Sequence, residues 1–269
     1  MTHTLVSLLF AALALSRTDA AFPGQSPAPP IELRITVVFN NVPHRPGLTA
    51  GWGFSALIEG ADKTVLFDTG GDGAVLLANM RRLGLNPKSV EAIVLSHIHA
   101  DHTGGLDGFL AENADLEVWL PAEFPAGFQR AVAERGARVR PVSKGGRLFG
   151  QVWSSGPLGD GVIEQALILD TAQGLVVVTG CAHPGIVRIA ETAGRLTGKR
   201  IHLLMGGFHL MGTDRAEIQA IIARLQALGV KKIAPSHCTG DEAIAQFRKA
   251  WGKDFVEGGL GAVIEVPVR

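Results

Sequence analysis

Beyond residue 30, apolar positions along the chain switch repeatedly between a period of about two and a period of about 3.6 residues. Residues 31–39 alternate, with Ile31, Leu33, Ile35 and Val37 against Glu32, Arg34 and Thr36, and predict a half-buried strand. Segments 53–58 and 64–67 read as further strands. The second of these leads into the turn Asp68-Thr69-Gly70-Gly71-Asp72-Gly73. A helix over 74–83 places Val75, Leu76 and Met80 inward and stops at Gly84. Strand 92–95 follows, and this strand–helix–strand order predicts a right-handed crossover between parallel strands. Segment 116–120 is a strand, and 124–135 is weakly helical up to Gly136. Segments 138–142 and 148–153, separated by Gly145-Gly146, alternate as an antiparallel pair. Segments 166–170 and 175–179 form a hairpin through Ala172-Gln173-Gly174. A helix over 186–196 and a strand over 200–205 come next. Ile218, Ile221, Ile222, Leu225 and Leu228 form one apolar stripe on a helix over 215–228, with Asp214 as its cap and Gly229 as its stop. Strand 232–235, helix 241–251 and strand 261–266 close the chain. The simplest architecture is an α/β sandwich of two mixed sheets packed face to face, with helices on both outer faces.

Composition changes this picture only at the N-terminus. Residues 5–15 are apolar, too few to span a bilayer, and are followed by small residues and the Pro-rich stretch Phe22-Pro23-Gly24-Gln25-Ser26-Pro27-Ala28-Pro29-Pro30. Residues 1–21 therefore read as a signal peptide, 22–30 as a linker and 31–269 as one domain, which implies an exported protein. A cytoplasmic tail is the alternative, since no Lys or Arg precedes the apolar run. Lys+Arg and Asp+Glu balance at 25 each, so nothing suggests nucleic acid, and a small-molecule substrate is expected. Two cysteines, Cys181 and Cys238, are too few for a disulfide scaffold and leave room for one long-range bridge in an exported chain.

The chemistry concentrates after strand 92–95, in Ser96-His97-Ile98-His99-Ala100-Asp101-His102. At the C-terminal end of the strand side chains alternate with period two, so His97 and His99 are expected to point the same way and grip one cation. Asp101 and His102 lie further on and face a neighbouring point, so the stretch suits two adjacent metals. Imidazole with carboxylate fits zinc, iron or manganese. Three later histidines also follow apolar strands, among glycines or small residues: His183, His209 and His237. His183 would complete the first metal with His97 and His99. His237 would complete the second with Asp101 and His102. His209 is either a ligand or substrate contact, or a hydrogen-bonded structural residue. Substrate-shaping loops are expected at 40–52 and 121–128.

His-x-His-x-Asp-His, with Leu66-Phe67-Asp68-Thr69-Gly70 upstream, resembles the metallo-β-lactamase superfamily, whose αββα sandwich matches the architecture above. The resemblance implies that Asp68 sits behind the metal site, orienting a ligand histidine or binding metal directly. It also shows a departure. Many members carry a Gly-His-Thr-like ligand loop and then a bridging aspartate. Here Gly161-Val162-Ile163-Glu164-Gln165-Ala166 and Thr179-Gly180-Cys181 stand in those places. Cys181 is thus either a bridging thiolate, which favours zinc, or a buried neutral thiol. Glu164 either contacts metal, anchors a histidine, or is a solvated strand end. Gly-Cys-Ala-His-Pro-Gly, Gly-Gly-Phe-His-Leu and Pro-Ser-His-Cys-Thr-Gly resemble the branch named for the archaeal 7,8-dihydropterin-6-methyl-aminobenzene-ribofuranoside phosphate synthase.

Two divalent cations, zinc first, are therefore expected, with Asp101 and Asp68 as the catalytic carboxylates of a hydrolase. Phosphate esters are the favoured substrates, and lactones or β-lactams are alternatives. The branch implies a second option, a pterin-type transferase that releases diphosphate. A binding protein that merely retains the metal site is a third.

Overall fold

The computed structural model describes Met1 and residues 32–267. The expected signal peptide and linker lie outside the described residues. Among the described residues, thirteen strands build two sheets. The first runs β13(Val263–Pro267), β1(Glu32–Asn40), β2(Phe54–Glu59), β3(Val65–Phe67), β4(Ala92–Val94), β5(Glu117–Pro121), β6(Arg138–Val142). The second runs β12(Lys232–Ser236), β11(Ile201–Gly207), β10(Gly174–Thr179), β9(Leu167–Thr171), β8(Val152–Ser154), β7(Gly146–Phe149). Each sheet is antiparallel at one side and parallel at the other. Neighbours from β3 to β6 are parallel, as are β10, β11 and β12.

The sandwich follows from which face each strand buries. Leu33, Ile35 and Val37 of β1 meet Val176 and Val178 of β10 and Leu203 and Met205 of β11 in a core between the sheets. The opposite faces carry apolar side chains too, which is why the central strands read as continuous apolar runs. Leu175 and Val177 pack under α5(Ile186–Thr197), α6(Arg215–Ala227) and α7(Asp241–Trp251). Leu57, Leu66 and Ile93 pack under α1(Gly73–Arg82), α3(Leu106–Glu112) and α4(Ala126–Glu134). Asp214 caps α6 by accepting from Glu217 N at 2.9 Å. Among the described residues no helix is long and apolar enough to cross a membrane.

The expected pairing of 138–142 with 148–153 does not form. β6 instead lies parallel to β5, where Arg140 pairs with Glu117 at 2.9 Å. The following segment folds back on itself as β7 and β8, turning through Gly150 at φ +42°. Alternation identified both segments as strands. It carried no information that they edge different sheets.

Candidate metal centre

β3 and β4 lie side by side and parallel, so the turns leaving their C-terminal ends emerge together. One delivers Asp68, whose N–H donates to Val94 O at 2.9 Å. The other delivers residues 95–102. β4 stops at Val94, so strand alternation does not aim His97 and His99 as expected. They stand in a loop, their ring centroids 4.8 Å apart at 76°. His99 then caps the short helix α2(Ala100–Thr103), which turns Asp101 and His102 back over the strand end. From the second sheet, β10 delivers Cys181 and His183, β11 delivers His209, and β12 delivers His237 and Cys238. The halves close on each other at Gly180, where a Cβ would fall 2.1 Å from Ser96 Oγ, so only glycine fits.

The structure brings the expected residues into one place as two overlapping clusters. The ring of His183 lies 4.8 Å from that of His97 and 4.9 Å from that of His99. Asp101 Oδ2 lies 3.5 Å from His102 Nε2 and 3.3 Å from His237 Nε2. Cys181 stands between the clusters and is near enough to share a cation with His97 and His183, or with Asp101, His102 and His237. Its Sγ is 3.2 Å from His102 Nε2.

Hydrogen bonds behind the rings fix which nitrogens face inward. Asp68 is fully buried and accepts from Ser96 N at 2.6 Å, from Ser96 Oγ at 2.7 Å and from His102 Nδ1 at 2.7 Å. It touches the back of His102 and does not face the cavity. The Ser96 hydroxyl has one proton, given to Asp68, so at 2.8 Å it accepts from His97 Nδ1. Asn41 Oδ1 accepts from His237 Nδ1 at 2.6 Å. With those protons so assigned, the Nε2 atoms of His97, His102 and His237 are left as lone pairs, that of His97 3.2 Å from His99 Nδ1 and those of His102 and His237 beside Asp101 and Cys181. The Nε2 atoms of His183 and His237 are buried without a hydrogen-bond partner. Bare imidazole lone pairs facing a carboxylate and a sulfur repel, and a cation at their centre removes the repulsion. The donor set fits a metal.

The charges divide along the same line. Burial, then the neighbouring His102, His183 and His99, push His97 far below the ordinary imidazole range. Burial and His209 lower His183 to about 4. Burial also works against a charge on His102, but the Asp68 carboxylate outweighs it and raises this imidazole. Burial opposes the Asp101 charge, but the neighbouring His237 and His102 imidazoles outweigh it and lower this carboxyl to about 2.

Glu164 does not reach the cavity as a ligand. Fully buried, its carboxylate accepts from four successive backbone N–H groups: Gly180 at 3.1 Å, Cys181 at 3.0 Å, Ala182 at 2.8 Å and His183 at 2.9 Å. The ligand loop is wrapped around it. Burial raises this carboxyl to about 7, although the Ala182 and His183 N–H groups pull it down. His209 is exposed, with its ring 4.3 Å from that of His183, and its hydrogen bond to Cys238 raises its pKa. Cys181 and Cys238 are free thiols. The Cys238 hydrogen bond keeps the proton on Cys181, and the Cys181 and His209 hydrogen bonds lower Cys238. Sequence reasoning missed Asn41, Ser96 and the place of Cys238. Ser96 adjoins His97 and Cys238 directly follows His237, so both stand inside a motif; Asn41 has no such signal.

Among the described residues, the non-glycine residues with left-handed backbone are Asp68 at φ +54°, Ala182 at +61°, His209 at +53° and His237 at +53°. All four are in this site. Such conformations cost on the order of 1–3 kcal/mol each and persist where surrounding structure over-determines them.

The model of the metallo-beta-lactamase superfamily matches residues 48–187. A relative from Methanocaldococcus jannaschii, the 7,8-dihydropterin-6-methyl-4-(beta-D-ribofuranosyl)-aminobenzene-5'-phosphate synthase, is 31% identical over 79% of this chain and 89% of its own. A solved structure described as a metal-dependent hydrolase of the beta-lactamase superfamily is 28% identical, with a TM-score of 0.74 over 87% of this chain and 99% of its own. A diphosphatase structure, 16% identical with a TM-score of 0.56, covers 87% of this chain and 97% of its own and shares the fold.

Proposed function

The chain belongs to the metallo-beta-lactamase superfamily, and from that premise we propose that it is a metal-dependent hydrolase of phosphate esters working at a dinuclear centre. The observation that carries this reading is the convergence of bare Nε2 atoms from both sheets around Asp101 and Cys181. His97, His99 and His183 would hold one cation; Asp101, His102 and His237 would hold the other, with Cys181 between them. A thiol among imidazoles and a carboxylate favours zinc, with iron and manganese the alternatives. Bound cations supply an acidified water and positive charge for the oxygens of an in-line displacement at phosphorus.

The rest of the work belongs to the chain. Asp68 and Ser96 keep His102 and His97 in the tautomers that expose Nε2, and Asn41 does the same for His237. Asp101, a carboxylate at neutral pH, would ligate through Oδ2, which leaves its second oxygen to accept a proton shed during turnover. Glu164 fixes the backbone of residues 180–183 and with it the position of His183.

The test is metal analysis combined with a panel of phosphomonoesters, phosphodiesters and lactones. His97→Ala and His102→Ala are expected to lose metal and turnover together. Full activity in metal-free protein would overturn the reading. The relative from Methanocaldococcus jannaschii favours a second reading, a transferase acting on a pterin. Product from a pterin diphosphate and an aminobenzoate analogue, formed without water consumption, would decide for it.

A further inference from the structure

Exposed large apolar side chains are few among the described residues, and two of them border the metal centre. Trp52 is 51% exposed, and its ring centroid lies 4.9 Å from that of His237, at 55°. Met211 is 59% exposed and lines an open cavity of about 500 Å³ together with Asn41, Pro43 and His237. A half-bare indole and a bare thioether on the rim of a polar site leave apolar area in water that a ligand can cover.

Trp52 is also held in place. Gly53, at φ +138°, lies so close to Asp101 that a Cβ would fall 2.2 Å from the Asp101 carbonyl oxygen. A Cβ on Gly51 would press on the Phe39 ring at 2.8 Å, and one on Gly71 would lie 3.0 Å from Trp52 O. Small residues on both sides of Trp52 thus let its backbone seat against the metal-site loops, and its ring lies beside His237. The one charged group lining the cavity is the Asp241 carboxylate, which disfavours an anionic tail there. The phosphate end of a substrate belongs at the cations, and the remainder meets indole, thioether and an acid.

We propose that Trp52 and Met211 form a specificity seat for a neutral planar ring, so that the substrates are phosphate esters of ring-bearing alcohols. The ring stacks on Trp52 beside His237, and Met211, on the cavity that His237 also lines, adds a flexible, polarisable contact. This rests on the hydrolase reading for the phosphate end only; the seat recognises the ring.

Two inert analogues, 1-naphthylphosphonate and methylphosphonate, are titrated calorimetrically into the metal-loaded protein. Trp52→Ala is expected to reduce the ratio of naphthyl to methyl affinity about tenfold, the scale of an aromatic contact plus its buried area. Trp52→Phe keeps the ratio within about threefold, and Met211→Ala lowers it by less than Trp52→Ala does. A ratio unchanged in Trp52→Ala overturns the proposal, including the case where both affinities fall together. Neutral 1-naphthol, followed by the indole ¹⁵N–H resonance that Trp52→Phe removes, reads the seat without phosphate. If that resonance moves while neither phosphonate binds, the ring seat stands and the phosphate-ester reading falls. If it stays fixed, the seat is refuted.

Discussion

The two halves of the metal centre share Cys181 and differ in charge. The cluster of His97, His99 and His183 holds only imidazoles, and two of them are pushed toward neutrality by burial and by one another. The cluster of Asp101, His102 and His237 has one carboxylate in front, and a second, Asp68, behind His102. A cation in the second half meets a carboxylate ligand directly; a cation in the first meets imidazoles and the shared thiol, with the Glu164 carboxylate held back behind His97, 4.0 Å from its Nδ1. One pocket thus offers two unequal positions, and the carboxylate half is expected to hold its cation more tightly.

Asp101→Asn tests that inequality with the largest effect. A unit charge about 4 Å from a cation is worth on the order of 4 kcal/mol at an effective dielectric constant of about 20, before desolvation is subtracted. The variant should lose about a hundredfold or more in affinity at the tighter position. In a chelator titration followed by metal analysis, the two steps should then merge or swap order. Two unchanged steps would show that Asp101 is not what separates the halves.

Glu164→Gln acts on the all-imidazole half through its backbone. At pH 8, above its raised pKa, Glu164 is a carboxylate accepting four N–H groups of the loop that carries His183. An amide offers one acceptor oxygen and turns an NH₂ group toward donors. Hydrogen bonds to charged groups are worth about 1.5–3 kcal/mol each, and a buried donor left without a partner costs a similar amount. A loss of about 3 kcal/mol in denaturant unfolding is expected, with His183's cation lost before Asp101's. Wild-type stability in this variant would mean that the loop holds its shape without the carboxylate. Asp68→Asn is the milder counterpart in the other half. It keeps the shape but weakens the hold on His102, and should cost about 10–100-fold in affinity at that position only.

These two carboxylates also mark where the sequence stopped being informative. Asp68 is legible through the family resemblance that Leu66-Phe67-Asp68-Thr69-Gly70 carries, and the structure gives the physical reason: β3 lies parallel and next to the strand that leads into the histidine stretch. His183 and His237 are legible by a shared grammar, strand and then small residues. Glu164 carries no such mark. Its partners are backbone amides 16 to 19 residues downstream, and a backbone N–H has no residue identity to read. Asn41 and His237 are 196 residues apart, and their hydrogen bond leaves no periodic trace. Loop 40–52 was expected near the substrate and does bring Asn41 and Trp52 to the site. Loop 121–128 behaves otherwise: Phe124 is buried under the first sheet, and Phe128 lines a separate cavity of about 240 Å³ with Leu106. Apolar periodicity fixes which face is buried. It does not say which of two sheets a strand edges, and so β6 and β7 were paired when they belong apart.

Titration of the metal-free protein gives the smallest effect and the sharpest contrast, because the halves shift in opposite directions. His102, raised by Asp68, should keep its proton above the ordinary value of 6.5, whereas His183 should titrate at about 4. A raised imidazole binds its proton more tightly in the folded chain. Its contribution to stability is therefore complete below about pH 6.5 and is lost as pH climbs through the folded value. A lowered imidazole does the reverse: the unfolded chain takes the proton first, so stability declines as pH falls from about 6.5 toward 4. Histidine ring resonances followed between pH 4 and 9 read both at once. Asp68→Asn should bring His102 down toward His183 while leaving His183 in place. If His183 were to hold its proton to a higher pH than His102 in the wild-type protein, the assignment of charge to one half and neutrality to the other would be wrong.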